Sequence, residues 1–199
     1  VLTEGVAGRD SSKACRRVQS IYRRTFRNRN HIFIHRGPVA PAQYDGYEIM
    51  RCDSWDEIPQ PIRENMRRRG SEREETWDRR ELDDGAIVWI AQVSCEPAAV
   101  LFGRRGSHFR EWFVPLNEGD LVLFRARTYQ EYRGRGIMPC LIRRAMSDTL
   151  SNGGAAYWDC RVYNTASIRC AEKVGFTRLA TMKPIKRDRA VAADGIGSG

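Results

Sequence analysis

Residues 120–176 run DLVLFRARTYQEYRGRGIMPCLIRRAMSDTLSNGGAAYWDCRVYNTASIRCAEKVGF, and the changing period of their apolar positions decides the fold. Leu121 to Arg127 reads as a strand, and Gln130 to Gly136 as a Gly/Arg loop. After Ile137, apolar residues recur at Met138, Leu141, Ile142, Ala145, Met146 and Leu150, with Arg143 and Arg144 on the other side. That spacing is helical. Asn152-Gly-Gly154 ends the helix. Ala156 to Tyr163 predicts a strand, Asn164 caps a short helix over Thr165 to Lys173, Gly175 terminates it, and Phe176 to Met182 is a last strand.

The loop carries chemistry. Arg133-Gly-Arg-Gly136 joins a strand to a helix. Glycine lets the backbone turn tightly and approach a ligand, and the following helix offers unpaired N–H groups and a positive dipole end. Together these predict an anion site that a pyrophosphate fits. It is neither a dinucleotide G-x-G-x-x-G nor a P-loop, since no third glycine and no G-K-[ST] follow. Taken alone, the tetrapeptide is equally a tight turn with exposed arginines.

Two motifs in order resemble the GNAT superfamily of N-acetyltransferases. Tyr132 to Ile137 (YRGRGI) matches the family's loop, and Asn164 to Phe176 (NTASIRCAEKVGF) matches its later Asn, short helix and Glu-Lys-x-Gly-Phe ending. The close resemblance covers about residues 120–182 and a looser one about 44–184. It implies an α/β (α+β) fold: a mixed, mostly antiparallel central sheet flanked by helices, with splayed strands forming an acyl-CoA cleft. It implies acetyl-CoA or another acyl-CoA as donor and no metal. The donor's pyrophosphate is expected on the backbone of Arg133, Gly134, Arg135, Gly136, Ile137 and Met138. Its pantetheine arm is expected along Arg125, Ala126, Arg127 and Thr128, and its thioester near Asn164. Two departures stand out. The loop's final small residue is Met138, followed by Pro139, and the position where many members carry a thiolate-protonating Tyr is Ala171.

The expected reaction is attack of a neutral amine on a thioester, which needs a route for the amine proton and polarisation of the carbonyl. Asp159, on a predicted strand with Arg161 and Tyr163, is the first candidate base, and Asp120 the second. Tyr163 is a candidate acid in place of the missing Tyr, and Cys170 a weaker one. Each has an ordinary alternative as an arginine partner, a packed ring or a buried thiol. Arginines near Trp55, Trp77, Trp89 and Trp112 favour an anionic acceptor.

Outward from this stretch the signals weaken. Tyr47 to Cys52 predicts a strand, and Asp53 or Ser54 caps a helix near Trp55 that resumes after Pro61 through Ile62 and Met66. Arg67 to Glu75 reads as an exposed helix end or loop. Ala86 to Val93, Ala98 to Phe102 and Phe109 to Val114 predict strands, divided by turns at Asp83-Asp-Gly85 and Gly103 to Gly106. Residues 1–43 read as an Arg-rich extension, with a helix through Ala14 to Phe26 and a strand at His31 to His35. The resemblance implies an acyltransferase domain over residues 44–184, and residues 185–199 read as a flexible tail.

Composition bounds the rest. The 199 residues are 41% hydrophobic, 10% aromatic and 30% charged, with a net charge of +9, which suits one folded domain with basic excess. Six cysteines include no C-x-x-C pair, which argues against zinc and for reduced thiols in the cytoplasm. No apolar run reaches membrane-spanning length, so no membrane partner is expected. The expectation is thus an N-acyltransferase acting on an amine of a small molecule or protein. A catalytically weak acyl-CoA-binding module is the alternative. Nucleic acid, through Arg9 to Arg36, is the least favoured partner, and packing of that segment on the sheet or in a homodimer is preferred.

Overall fold

A computed structural model describes residues 28–40, 46–109, 111–150 and 153–185. The expected helix through Ala14 to Phe26 and the tail lie outside the described residues. Seven strands form one sheet: β1 (Asn30–Arg36), β2 (Glu48–Cys52), β3 (Ile87–Val93), β4 (Glu96–Arg105), β5 (Leu121–Thr128), β6 (Ala155–Arg161) and β7 (Thr177–Met182). Among the described residues, four α-helices flank it: α1 (Gln60–Arg69), α2 (Glu72–Asp83), α3 (Ile137–Thr149) and α4 (Thr165–Val174). The strand order is β2-β3-β4-β5-β6-β1-β7. Every neighbouring pair is antiparallel except β5 with β6. The mixed, mostly antiparallel sheet expected from the sequence is present.

Strand alternation sorts the core onto two faces. Trp89, Ala91, Ala99, Leu101 and Leu123 turn toward α3, which presents Leu141, Ile142, Ala145 and Met146, and toward Ala171 and Val174 of α4. Val88, Ile90, Val100, Phe102 and Phe124 turn the other way, toward Ile62 and Met66 of α1, Leu82 of α2, and Trp55 and Ile58 before them. A third cluster joins Ile32, Ile34, Val122 and Tyr157 to Trp112 and Phe113.

Four expectations need correction. No helix starts near Trp55: Asp53 N donates to Glu57 Oε2 at 2.7 Å in a turn, and α1 begins after its N-cap Pro59, whose φ of −54° and ψ of 138° are not helical. The polar stretch after Arg69 is the start of a full helix, α2, held by a reciprocal capping box of Ser71 and Glu74. Among its described residues, the segment expected as a strand over Phe109 to Val114 contains none. There Trp112 and Phe113 stack edge to face at 5.3 Å and anchor an irregular connection to the sheet. Gly103 lies inside β4 and not in a turn, because a Cβ there would sit 3.0 Å from the side chains of Leu121 and Trp89.

One placement has no forerunner in the sequence. β1, from the segment read as an extension, lies between β6 and β7 and pairs with both. Ile32, Phe33 and Ile34 of β1 are buried.

Candidate active site

A cleft opens where β5 and β6 part. They pair only over Leu121–Ala156, Val122–Tyr157 and Leu123–Trp158. Beyond Leu123, β5 follows β4 through a bulge: Val100 pairs with Arg127 and Phe102 with Phe124, so three steps on β5 face two on β4. Arg125 carries the extra residue with φ of +51°, left-handed for a non-glycine. A bulge bends and twists its strand, which turns the end of β5 away from β6. Asp78 of α2 secures it. Its Oδ1 accepts from Arg125 Nη2 at 2.6 Å and Nε at 3.1 Å, and its Oδ2 accepts from Arg127 Nη2 in a short ion pair.

The connection from β5 to α3 forms the cleft's second wall. Gly134 and Gly136 take φ of +76° and +78°, and Gly136 is the N-cap of α3 with no side chain to cap it. Pro139 has no N–H, and Cys140 N donates weakly to Gly136 O at 3.5 Å. The N–H groups of Ile137 and Met138 therefore stand at an uncapped helix start, with the positive dipole end behind them. Arg133 Nε donates to Thr128 O at 3.1 Å, tying the loop to β5, and Arg135 stacks over Tyr132 at 5.5 Å. Such an end suits an anion, and the glycines leave room for its approach. A Cβ on Gly134 would meet nothing within 4 Å.

The cavity between these walls measures about 1000 Å³. Of the predicted donor-contacting residues, Ala126, Arg127, Thr128, Arg133, Gly134, Gly136, Ile137, Met138 and Asn164 border it, whereas Arg125 and Arg135 do not. Asn164 also caps α4, its Oδ1 accepting from Ser167 N at 3.2 Å. Trp158 of β6 borders the cavity, and its Nε1 donates to Ser167 Oγ at 2.9 Å.

The three predicted acid–base residues do not border it. Asp120 is 1% exposed before the far end of β5, roughly 25 Å of strand from Thr128. Its carboxylate accepts from Asn117 N at 2.7 Å and Ala155 N at 2.8 Å, tying the entry of β5 to that of β6. It borders a separate cavity of about 700 Å³ at that end of the sheet. Asp159 turns toward β1 and accepts from Asn30 Nδ2 at 2.6 Å. Tyr163 lies past the end of β6 and is 59% exposed. Ala171 is fully buried in α4.

Residues missed in the sequence border the cleft instead: Arg69, Glu74, Tyr129 and Glu131 among them. Arg69 is ion-paired to Glu131 and to Glu96, the latter at 2.5 Å, and stacks on Tyr129 at 5.2 Å. Burial pushes the Tyr129 hydroxyl above its usual range. Cys170 borders the cleft too, and burial pushes its thiol up to about 11. Glu74 had a visible signal in the Ser-x-x-Glu capping pattern at the start of α2. Tyr129 and Glu131 flank the Arg133–Gly136 loop in the sequence, whereas Arg69 had no signal, because only the fold brings α1 and the β5–α3 connection together. Among the described residues, no cluster of three His, Cys, Asp or Glu is placed to hold a metal, and no helix is long and apolar enough to cross a membrane.

The family profile described as GNAT acetyltransferase matches residues 122–183, from β5 to just past β7. YdfB, an uncharacterised N-acetyltransferase of Bacillus subtilis (strain 168), is 41% identical over 64 residues, which is 32% of this chain and 23% of YdfB. Among solved structures, a GNAT-family protein from Novosphingobium aromaticivorans superposes with a TM-score of 0.55 at 20% identity, over 78% of this chain and 61% of that one. A GNAT-family acetyltransferase from Colwellia psychrerythraea gives 0.55 at 15% identity, over 79% and 55%. A GCN5-related N-acetyltransferase from Sphaerobacter thermophilus gives 0.53 at 14% identity, over 87% and 55%. At these identities the structural likeness speaks for the fold, and the chain spans only part of each relative.

Proposed function

We propose, from a chain that resembles the GNAT acetyltransferases in sequence over residues 122–183 and in the fold of its sheet, that it transfers an acyl group from acetyl-CoA or a related acyl-CoA to an amine. One observation carries the proposal: β5 and β6 part beyond Leu123 and Trp158, and the gap opens beside the uncapped start of α3. In this reading the donor's diphosphate rests on the N–H groups from Arg133 to Met138. Its amide-bearing arm follows the free side of β5 at Ala126 to Thr128, as an added strand would. That arrangement delivers the thioester toward Trp158 and Asn164, where the strands meet.

The amine must attack while neutral, and the thiolate must leave. Cys170 is a poor acid for that thiolate. At about 11 it is weaker than an ordinary thiol near 8.5. Asp120 and Asp159 stand in hydrogen bonds away from the cleft, so neither is assigned the amine proton. Glu74 is a cleft-lining carboxylate with no arginine ion pair among the described residues, and it is the assigned proton acceptor.

Calorimetry with acetyl-CoA, followed by free-thiol release over a panel of amines, tests the proposal. The expected outcome is binding with turnover on at least one amine. Gly136→Ala places a Cβ at a φ of +78° and crowds the anion site. It is expected to weaken acetyl-CoA binding by about tenfold, or ~1.4 kcal/mol. Wild-type affinity in that variant would remove the pyrophosphate assignment. A second reading, a module that binds acyl-CoA without turnover, draws on Ala171, whose buried methyl stands at the family's tyrosine position. Binding without thiol release on any amine would select it.

A further inference from the structure

A small chamber of about 20 Å³ adjoins the cleft beneath α2. Glu74, Arg127 and Tyr129 border both spaces. Such a volume holds one water-sized group, and one oxygen of a carboxylate is such a group. Two buried N–H groups belong to side chains of its wall, Arg127 Nε and Trp55 Nε1, and neither has a hydrogen-bond partner among the described residues. Buried donors are ordinarily satisfied, so an unmatched pair around one small space points to an acceptor group that is not part of this chain.

Charge points the same way. Most arginines of α1 and α2 already have carboxylates: Arg63 with Asp56, Arg68 and Arg69 with Glu96, and Arg67 and Arg79 with Glu75. Arg67 and Arg79, which share one carboxylate, are both more than half exposed, so water solvates their surplus charge. At the chamber the surplus is less exposed: the side chains of Arg125 and Arg127 are 16% and 24% exposed. Asp78 is 2% exposed and serves both Arg125 and Arg127, which leaves one positive charge in excess. Glu74 is the counterpart. One of its oxygens accepts from Ser71 N at 3.2 Å, and no arginine is paired with it. The junction of chamber and cleft thus presents one surplus cation and one carboxylate without a cationic partner.

Resting on the donor assignment above, we infer that the acceptor is a small amino acid or a comparable amino-carboxylate. One oxygen of its carboxylate enters the chamber and accepts from Arg127 and Trp55. Its amino group lies beside Glu74, facing the cleft. A planar guanidinium suits a carboxylate, and a site that leaves buried donors unpaired discriminates strongly against an analogue lacking the acceptor. Polyamines would find only Glu74 to match several charges.

The test compares α-amino acids with their amides and their decarboxylated amines in acetyl-CoA-dependent thiol release. The expected result is a preference of at least about tenfold in kcat/KM for the carboxylate-bearing member of each set. Arg127→Gln should reduce that ratio to within about twofold, and Arg127→Lys should restore part of it. Arg125 still holds Asp78 in these variants, and a melting curve verifies folding. Glu74→Gln keeps the capping geometry, since Gln serves at that position, yet lowers kcat/KM for every member of the panel. Equal turnover of amides and amino acids, or an undiminished ratio in Arg127→Gln, overturns the inference. The donor assignment fails separately, if acetyl-CoA gives no heat of binding. Calorimetric titration of the same acceptors into the protein then decides the inference by the same ratio.

Discussion

Single side chains divide into those whose duty is written beside them and those whose duty depends on register. Gly175 and Asn164 belong to the first kind. Gly175 ends α4 with φ of +96°, and Asn164 caps its start, both as their positions in the sequence predict. Asp120 belongs to the second. A carboxylate at the start of a strand reads as a candidate base, but the register of β5 against β6 aims it at two backbone N–H groups. Charge-assisted bonds of this kind contribute roughly 1.5–3 kcal/mol when buried. Asp120→Asn is therefore expected to lower stability by about 2 kcal/mol, a fall in melting temperature of roughly 4–8 °C. Acetyl-CoA affinity in the same variant should match the wild type by calorimetry. A tenfold loss of affinity without loss of stability would return Asp120 to the site.

At the scale of elements, legibility followed the contrast between apolar and polar faces. α3 has an apolar stripe that meets the sheet, so spacing alone located it. α2 buries only Asp78 and Leu82, and its run of charges concealed a helix. Its start was nonetheless encoded, because Ser71 and Glu74 bond each other's backbone N–H groups. Ser71→Ala should cost about 1 kcal/mol, seen as a lower urea midpoint at constant slope. Since α2 carries Asp78, which holds the bulge at Arg125, fraying there should also broaden the cleft beside α2. The strand misread at Phe109 to Val114 failed for a related reason. Its aromatic residues are buried by stacking against the sheet, with no ladder of their own, and β-propensity cannot tell these situations apart.

The whole molecule adds relations that no local stretch contains. The stretch from Asp120 to Phe176 was read almost element by element, yet the strand beside β6 comes from residues 30–36. Pairing across such a separation leaves no periodic trace, which is why β1 reads as part of an extension. Burial across the two sides of the sheet also sets a response to pH. Cys52, in the α1 face of the core, and Cys170, beside the cleft, are both pushed up to about 11 by burial. A group whose folded pKa is raised contributes stability that is complete below its unfolded pKa and declines as pH rises toward the folded value. Stability should hold below about pH 8.5, then fall toward pH 11. Replacing both thiols by alanine should flatten that alkaline decline in denaturant titrations. An unchanged slope would mean that other groups govern it.

The place of β1 also has a temporal meaning. During synthesis, Asn30 leaves the ribosome long before Arg161 and Met182, the residues it will face on either side. Until both have been made, the Ile32-Phe-Ile34 segment has no slot to enter. β6 and β7 in turn emerge as two open edges with a vacancy between them, a state prone to pairing with other chains. Closing the sheet is thus a late, long-range event of the kind that slows folding. The chain's early strand acts as a keystone, and the rate at which it returns sets how long the nascent protein stays vulnerable.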